Sequence, residues 1–166
     1  MPADKDIFRK AWGKFATGVS VITSMDEHNQ VQGMTANGIM SVSLEPMLNQ
    51  VSIGFHANHL KLIQHTGRYG ISILRDDQFD IAYYFSRKPE DRAKMAKPAN
   101  LHLVQVGTSY KVQHALAYFD CKVVSSHLEG DHILFIGAVE HIETGDGIPL
   151  MFYEGKYPKL TIPAPT

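Results

Sequence analysis

A run of small, hydrogen-bonding residues stands in the first third of the sequence, immediately before a strand-like segment. Thr35, Ala36, Asn37 and Gly38 occupy positions where ordinary core residues could have started the strand. Thr35 offers a hydroxyl, Asn37 offers an acceptor and donors, and Gly38 permits close backbone approach. Backbone groups reach the polar rim of a planar cofactor only where bulky side chains are missing. The run therefore predicts either a cofactor contact or an Asn-Gly turn into the next strand.

Other motifs that carry chemistry are missing from the sequence. His56 and His59 have a plausible spacing for metal ligands, but no HExxH pattern or carboxylate-flanked cluster accompanies the nine histidines. No GxGxxG motif follows a strand, and no GxSxG motif occurs. The single cysteine, Cys121, excludes an intrachain disulfide and a cysteine-based zinc site and is predicted to face inward on a strand. We therefore expect no metal site and no Rossmann site.

Composition and charge exclude several classes of partner. The 16 Lys and Arg residues against 17 Asp and Glu give a formal net charge of -1, which provides no general field for nucleic acid or an anionic membrane. The N-terminal segment lacks the apolar stretch of a signal peptide, and no window approaches the ~18 apolar residues of a membrane span. We expect a cytoplasmic protein with one domain over residues 1–166.

The elements that must position the polar run are mostly strands. The spacing of apolar residues from Phe8 to Phe15 predicts an N-terminal helix that ends by Gly18, and shorter helices are predicted over 59–65 and 77–86. The polar, basic segment 87–100 is predicted to be a surface loop. Strands are predicted over 19–24, 31–34, 38–44, 49–55, 69–74, 115–129, 132–144 and 150–157. Six to eight short strands with a few helices indicate an antiparallel barrel with helical decoration.

Four motifs then resemble one known family, in its order and approximate spacing. They are FRKAWGKFATGVSVIT (8–23), GMTANGIMSVSLEPM (33–47), GDHILFIGAVEHI (130–142) and PLMFYEGKYPKL (149–160). Together they resemble the flavin reductase-like family of FMN-binding split barrels, which includes reductase components of two-component flavin monooxygenases. The resemblance implies a mainly β (α+β) fold, a six-stranded antiparallel Greek-key split β-barrel with a few peripheral helices. It also implies a homodimer with FMN or FAD near the subunit interface.

The resemblance also implies which residues hold the flavin. The implied cofactor-binding residues are Thr35, Ala36, Asn37, Gly38, Ser52, His56, Asn58, Phe85, Ser86 and Arg87. Gly38 stands where the family commonly has Ser, and His56 and His59 stand where relatives often have Ser and Thr. Both histidines could face the flavin phosphate, with Asn58 and a helix N-terminus adding donors. Alternatively, the two histidines are exposed residues at the start of a helix.

His132 is the residue expected at the second substrate. It follows Gly130 and Asp131 at a predicted hairpin tip. In the family a histidine in this motif lies beside the flavin where the nicotinamide enters, so the resemblance implies that His132 helps to set the cofactor stack. The hydride chemistry itself belongs to the two cofactors. The alternatives are that His132 is an ordinary polar hairpin residue and that Asp131 only shapes the turn.

The function that the resemblance implies is an NAD(P)H:flavin oxidoreductase. Hydride would pass from NADH or NADPH to FMN or FAD, and the reduced flavin would reach a partner monooxygenase. One alternative is a non-catalytic flavin-binding or flavoredoxin-like electron-transfer protein, and another is a flavin-free barrel that serves an interaction. The sequence alone does not choose between the two flavins or between the two nicotinamide donors.

Overall fold

Strands make up most of the regular structure in residues 3–163, the part of the chain that this computed structural model describes. The helices are α1 (Lys5–Gly13), α2 (His59–Thr66), α3 (Phe79–Phe85) and α4 (Pro89–Arg92), and a 3-10 turn over Asp76–Gln78 leads into α3. The strands are β1 (Thr17–Gly18), β2 (Ser20–Met25), β3 (Val31–Ala36), β4 (Ile39–Ser43), β5 (Leu48–Gly54), β6 (Arg68–Ile73), β7 (Leu103–Val106), β8 (Ser109–Val112), β9 (Ala117–Glu129), β10 (His132–Thr144) and β11 (Met151–Phe152).

Seven of these strands form one antiparallel sheet in the order β3-β2-β6-β9-β10-β5-β4. Strands β1 and β11 form a separate antiparallel pair, and so do β7 and β8. The mainly β, antiparallel fold is therefore confirmed. The resemblance implied six strands, whereas the sheet has seven, because β3 and β4 pair with different neighbours and are separate strands.

The two edge strands of this sheet are joined by a very short connection. Only Asn37 and Gly38 separate the end of β3 from the start of β4, although the two strands stand at opposite ends of the strand order. Three residue steps span at most ~11 Å, so the sheet must curl until its edges approach each other. Within residues 3–163 no backbone ladder closes β3 onto β4. The Ser52 N–H donates to the Gly38 carbonyl at 2.9 Å and fixes the connection on β5.

Two apolar clusters hold the curled sheet and its helices together. The first lies inside the sheet and includes Ile22, Val51 and Phe135. The second lies beneath α3 and includes Ile81 and Phe85. Each fully buried aliphatic side chain of this size contributes about 1.5–3 kcal/mol relative to an exposed one, so these clusters fix the position of α3 on the sheet.

The structure confirms several predicted elements and corrects others. The N-terminal helix is present, is capped by the Asp4 carboxylate, and ends at Gly13. Strands β9 and β10 form the predicted hairpin around Gly130 and Asp131, and Cys121 is fully buried. The segment 87–100 is not wholly a loop, because Pro89 starts the short helix α4.

Neither a membrane-spanning helix nor a cluster of metal-binding side chains is found in the described part of the chain. No helix among residues 3–163 is long and apolar enough to span a membrane. The same residues contain no group of three or more His, Cys, Asp or Glu side chains placed to hold a metal ion.

Candidate active site

The largest cavity beside the predicted cofactor residues, about 1310 Å³ in volume, lies between α1 and the sheet. We call it the α1 cavity, and its lining includes Trp12, Asn37, Gly38, Ser52 and His132. The connection between β3 and β4 delivers Asn37 and Gly38, β5 delivers Ser52, and the β9–β10 hairpin delivers His132. Four residues that the resemblance implied, separated by up to 95 positions in the chain, therefore line one space.

A second cavity, about 280 Å³ in volume, lies where α2, α3 and α4 meet β3. We call it the cationic cavity, because Arg87, Lys88 and Arg92 line it against a single carboxylate, Glu90, and His56 is also in its lining. The remaining predicted residues of this region are also in its lining, and they are Asn58, Phe85 and Ser86. Eight of the ten predicted cofactor residues are thus divided between two cavities rather than gathered in one.

Strand β3 runs from one cavity toward the other. Met34 lines the cationic cavity, Asn37 lines the α1 cavity, and Thr35 and Ala36 stand between them. The Thr35 hydroxyl donates to the Ala82 carbonyl of α3 at 2.6 Å, so its proton is committed and only its oxygen lone pairs stay available to a ligand. The Asn37 amide reaches the Thr17 hydroxyl at a long 3.4 Å and is exposed.

The absence of a side chain at Gly38 leaves room beside Ser52. A Cβ built on Gly38 would stand 3.4 Å from the Ser52 Cβ and 3.7 Å from its carbonyl oxygen. A serine at position 38 would therefore touch Ser52, and in this chain Ser52 is the hydroxyl-bearing residue at that corner of the α1 cavity.

The two histidines around the start of α2 have different environments. His56 is exposed and lines the cationic cavity, whereas His59 is buried and its Nε2 lies 3.1 Å from the Gln32 carbonyl. Burial lowers the pKa of His59 to about 4, and the nearby Arg92 guanidinium adds to that decrease. His59 is therefore neutral at neutral pH and packs α2 against β3. The alternative that His59 is an exposed residue at the start of a helix is wrong, because its side chain is buried. His59 belongs to the lining of the cationic cavity, so a place beside a bound phosphate stays a prediction, for a neutral side chain.

Asn58 and the residues after α3 take up defined positions at the rim of the cationic cavity. Asn58 occupies the N-cap position of α2, but its side chain makes no capping hydrogen bond in the described structure. The Ser86 hydroxyl donates to the Tyr83 carbonyl at 2.7 Å. The Arg87 guanidinium lies 4.3 Å from the centroid of the Tyr83 ring, a cation–π contact that holds it at the surface.

Arg92 follows the predicted cofactor residues Phe85, Ser86 and Arg87 in the sequence and also lines this cavity, although it was not among the residues assigned to the flavin. Its side chain is only 9% exposed, and it donates to the Gly33 carbonyl at 2.9 Å. Burial lowers its pKa, and among the described residues no carboxylate forms an ion pair with it. A buried guanidinium without a counter-charge is costly, so the cavity favours an anion. Proline is favoured at the first position of a helix, so Pro89 followed by Glu90 and Asp91 was a sequence signal for a short helix that includes Arg92.

His132 lies at the tip of the β9–β10 hairpin, where backbone pairing fixes its position. Gly130 has a positive φ of 61° and makes the turn, and His132 is paired in register with Gly54 of β5. The Nδ1 atom of His132 lies 2.7 Å from a carboxylate oxygen of Asp131. A Cβ added to Gly54 would stand 3.4 Å from Nε2, so the imidazole ring lies over the bare backbone of Gly54.

Two aromatic residues of α1, Phe8 and Trp12, and Phe15 of the segment that follows it line the α1 cavity. Trp12 makes edge-to-face contacts with Phe8 at 6.2 Å and with Phe15 at 6.0 Å, measured between ring centroids. All three rings are more than half exposed, and all three line the cavity. Their helical spacing predicted α1, but sequence alone did not show that their shared face is left open rather than packed in the core.

Comparison with known proteins identifies the flavin reductase-like family over nearly the whole chain. Residues 12–161 match the family model described as flavin reductase like domain. The chain is 39% identical over 156 residues to an NADH-dependent flavin reductase of a Rhodococcus species, and the match covers 93% of this chain and 85% of that protein.

Solved structures are similar to this fold over nearly its whole length. The styrene monooxygenase flavin reductase of Pseudomonas putida S12 superimposes with a TM-score of 0.84 at 31% identity, and the match covers 95% of this chain and 99% of that one. The NADH:FAD oxidoreductase SgcE6 of Streptomyces globisporus C-1027, in complex with NAD and FAD fragments, gives a TM-score of 0.85 at 25% identity, covering 97% and 95%.

Proposed function

Because the chain belongs to the flavin reductase-like family, we propose that it is an NAD(P)H-dependent flavin reductase, which supplies reduced FMN or FAD to a partner monooxygenase. The observation that carries the proposal is the α1 cavity, where Asn37, Gly38 and Ser52 stand opposite the aromatic face of α1 and beside His132. The similar Rhodococcus protein is an NADH-dependent flavin reductase, and the similar Pseudomonas putida structure is the flavin reductase of a styrene monooxygenase.

The residues present fit a flavin in two respects. A planar ring needs exposed backbone at its rim, and the Asn37-Gly38 connection carries no bulky side chain. A phosphate needs positive charge, and the cationic cavity holds the buried Arg92 without a carboxylate partner among the described residues. When bound, the flavin supplies the hydride-accepting chemistry.

The chain's own residues bind and orient that cofactor. We assign the flavin ring and the ribityl chain to five residues. Thr35 and Ala36 end β3, Asn37 and Gly38 connect β3 to β4, and Ser52 lies on the neighbouring strand β5. Thr35 can offer only an acceptor there, since its proton is held by Ala82. We assign the phosphate to the cationic cavity residues His56, Asn58, Phe85, Ser86 and Arg87, joined by Arg92.

The second substrate, NADH or NADPH, is assigned to the space in front of His132. At about 1310 Å³ the α1 cavity exceeds the roughly 300–1,000 Å³ of pockets for one drug-sized ligand, so it has room for a nicotinamide as well as a flavin ring. The aromatic face of α1 excludes water from one side of this space, and His132 orients the incoming donor.

The remaining proposals concern architecture. We propose that residues 1–166 form one split-barrel domain, with β3 and β4 acting as one bent Greek-key strand across the two-residue connection. We also propose a homodimer, because Met40, Leu44, Met47 and Ile142 present a partly exposed apolar surface around a groove of about 350 Å³. A second copy of the chain would cover that surface.

Anaerobic stopped-flow absorbance at the flavin band tests the activity. Flavin-loaded protein is mixed with NADH or with NADPH, and the same mixing is repeated with His132→Ala. We expect rapid bleaching with one donor or both, slowed strongly in the variant. Equal bleaching rates in both proteins would support the reductase activity but would contradict a role for His132. No bleaching by either donor, with flavin still bound, would leave an electron-transfer or flavin-binding protein.

A further inference from the structure

Two contacts restrain the His132 ring at the tip of the β9–β10 hairpin, and a backbone hydrogen bond anchors the tip itself. The backbone carbonyl of Asp131 accepts from the Phe55 N–H at 3.0 Å, which ties the tip to the end of β5. The Asp131 carboxylate reaches Nδ1 of His132 at 2.7 Å. The backbone of Gly54 forms the floor beneath the ring. The imidazole therefore has Nδ1 held by Asp131 and its Nε2 end beside Gly54, where no side chain covers it, and it lines the α1 cavity with its side chain 47% exposed.

The Asp131 carboxylate can act on His132 only as a hydrogen-bond acceptor. The hydrogen bond with His132, reinforced by Lys5 of α1, holds the pKa of Asp131 below its usual value, so that this carboxylate is ionised at neutral pH. An ionised carboxylate accepts and does not donate. The contact therefore places a proton on Nδ1, and in the neutral ring Nε2 becomes a lone-pair acceptor, since the hydrogen bond of one ring nitrogen sets the state of the other.

We propose that Asp131 is a positioning residue that fixes the Nδ1–H tautomer of His132, so that Nε2 accepts a hydrogen bond from the carboxamide N–H of the nicotinamide donor. This inference rests on the proposed function and extends it, because it names the group of the second substrate that His132 recognises. A primary carboxamide is a matching donor, whereas a methyl ketone in its place offers no N–H. The hydride transfer itself involves no bond to His132 or Asp131.

The orientation is tested first in flavin-free protein, by the ¹⁵N chemical shifts of the His132 ring above neutral pH, assigned with His132→Gln. We expect the Nδ1–H tautomer in the wild-type protein, a shift toward the Nε2–H tautomer in Asp131→Ala, and an intermediate result in Asp131→Asn, whose amide oxygen can still accept. Glu129→Gln is the matched control, since it removes one carboxylate charge from the same hairpin without an ion pair to His132 in the described structure. An Nε2–H tautomer in the wild-type protein, or no change in Asp131→Ala, would overturn the proposal.

Recognition of the carboxamide is tested by comparing the preferred donor with its reduced 3-acetylpyridine analogue. We expect Asp131→Ala to lower the hydride-transfer rate with the carboxamide donor by about two- to five-fold, as for an exposed charged pair, and to leave the rate with the analogue nearly unchanged. A purely structural role would lower both rates equally and would overturn the proposal. Glu129→Gln should retain the wild-type ratio.

The two proposals fail in different ways. A wild-type protein that binds flavin but oxidises neither nicotinamide donor would overturn the proposed function and the carboxamide contact together, whatever the tautomer. A fully active wild-type protein whose preference for the carboxamide donor is unaffected by Asp131→Ala would overturn only the inference about Asp131. Circular dichroism and thermal melting of each variant confirm that the hairpin has folded.

Discussion

Arg92 is a charged side chain that is almost completely buried beside β3. It contacts the Gly33 carbonyl and lies 5.4 Å from the centroid of the Phe85 ring. Its buried charge has no carboxylate partner among the described residues, and we propose the phosphate of a bound flavin as its counter-charge. We therefore expect Arg92 to contribute more to phosphate binding than the exposed Arg87, which lies over the Tyr83 ring.

Replacing Arg92 should weaken the binding of FMN more than the binding of riboflavin, which lacks the phosphate. We expect Arg92→Gln to weaken FMN binding by about 10- to 100-fold, the effect of losing a charge-assisted hydrogen bond, and to change riboflavin binding little. Fluorescence titration measures both affinities. Lys94→Gln is the control, because it removes a charge from an exposed position two residues away. Equal weakening for both ligands would place Arg92 outside the phosphate site.

His59 makes folding stability depend on pH. Its pKa of about 4 in the folded protein lies below the ordinary value near 6.5, so the unfolded chain binds a proton first as the pH falls. The stability that neutral His59 contributes is fully present above pH ~6.5 and is lost between pH ~6.5 and pH ~4, by about 3 kcal/mol at most. Urea unfolding at pH 7 and pH 4.5 measures this loss. His59→Gln should lose clearly less than the wild-type protein, whereas the exposed control His65→Gln should behave as the wild type.

One of the contacts that hold α3 against β3 depends on a glycine. A Cβ added to Gly33 would lie 2.4 Å from the Phe85 ring, and Phe85 is itself 6% exposed in the second apolar cluster. The close approach of β3 and α3 also brings Thr35 to the Ala82 carbonyl, and Arg92 of α4 donates to the Gly33 carbonyl of β3. The cationic cavity and the polar run on β3 are therefore coupled through the packing of α3 and α4 on this strand.

Gly33→Ala should push α3 away from β3. We expect a loss of about 1–3 kcal/mol in the free energy of unfolding, as for other overpacked sites, measured by urea denaturation. The control is Gly18→Ala, because no atom lies within 4 Å of the added Cβ. If the two variants lose equal stability, the contact between Phe85 and β3 does not hold the helix.

The sequence predicted elements better than it predicted burial. The hairpin at 129–132 followed from its two alternating strands and the Gly130-Asp131 turn, and α1 followed from helical spacing. The inward turn of His59 could not be predicted, because its partner is the Gln32 carbonyl, 27 residues earlier in the chain. The polar composition of 87–100 hid α4, since only Arg92 of that helix is buried. The division of the cofactor residues into two cavities depends on how the sheet curls, which no local pattern records.

At the scale of the whole molecule, one apolar surface is left without cover in the single chain. Leu44 is 81% exposed, and it lines the same groove as Met40 and Met47. The groove also exposes part of Ile142, so the surface combines residues from two separate strands and the turn after β4. A surface of this kind is typical of a contact between protein chains.

Disrupting this surface should change the mass of the protein in solution. We expect the wild-type protein to be a dimer by light scattering and Leu44→Glu to be a monomer at the same concentration, because a charge would be buried in the contact. Val104→Glu, which places the same charge on β7 outside this groove, should stay dimeric. A monomeric wild-type protein would contradict the proposed homodimer.

The strand order has a consequence for synthesis of the chain on the ribosome. The N-terminal strands form two local pairs, β2 with β3 and β4 with β5, and these pairs end at opposite sides of the sheet. Strands β9 and β10 fill the middle, where they pair with β6 and β5. A nascent chain that has reached only residue 116 therefore holds two separate half-sheets with unpaired edges, which are open to aggregation. Because the last long hairpin joins the halves and also carries His132, the chain cannot assemble its active site before nearly all of it has been translated.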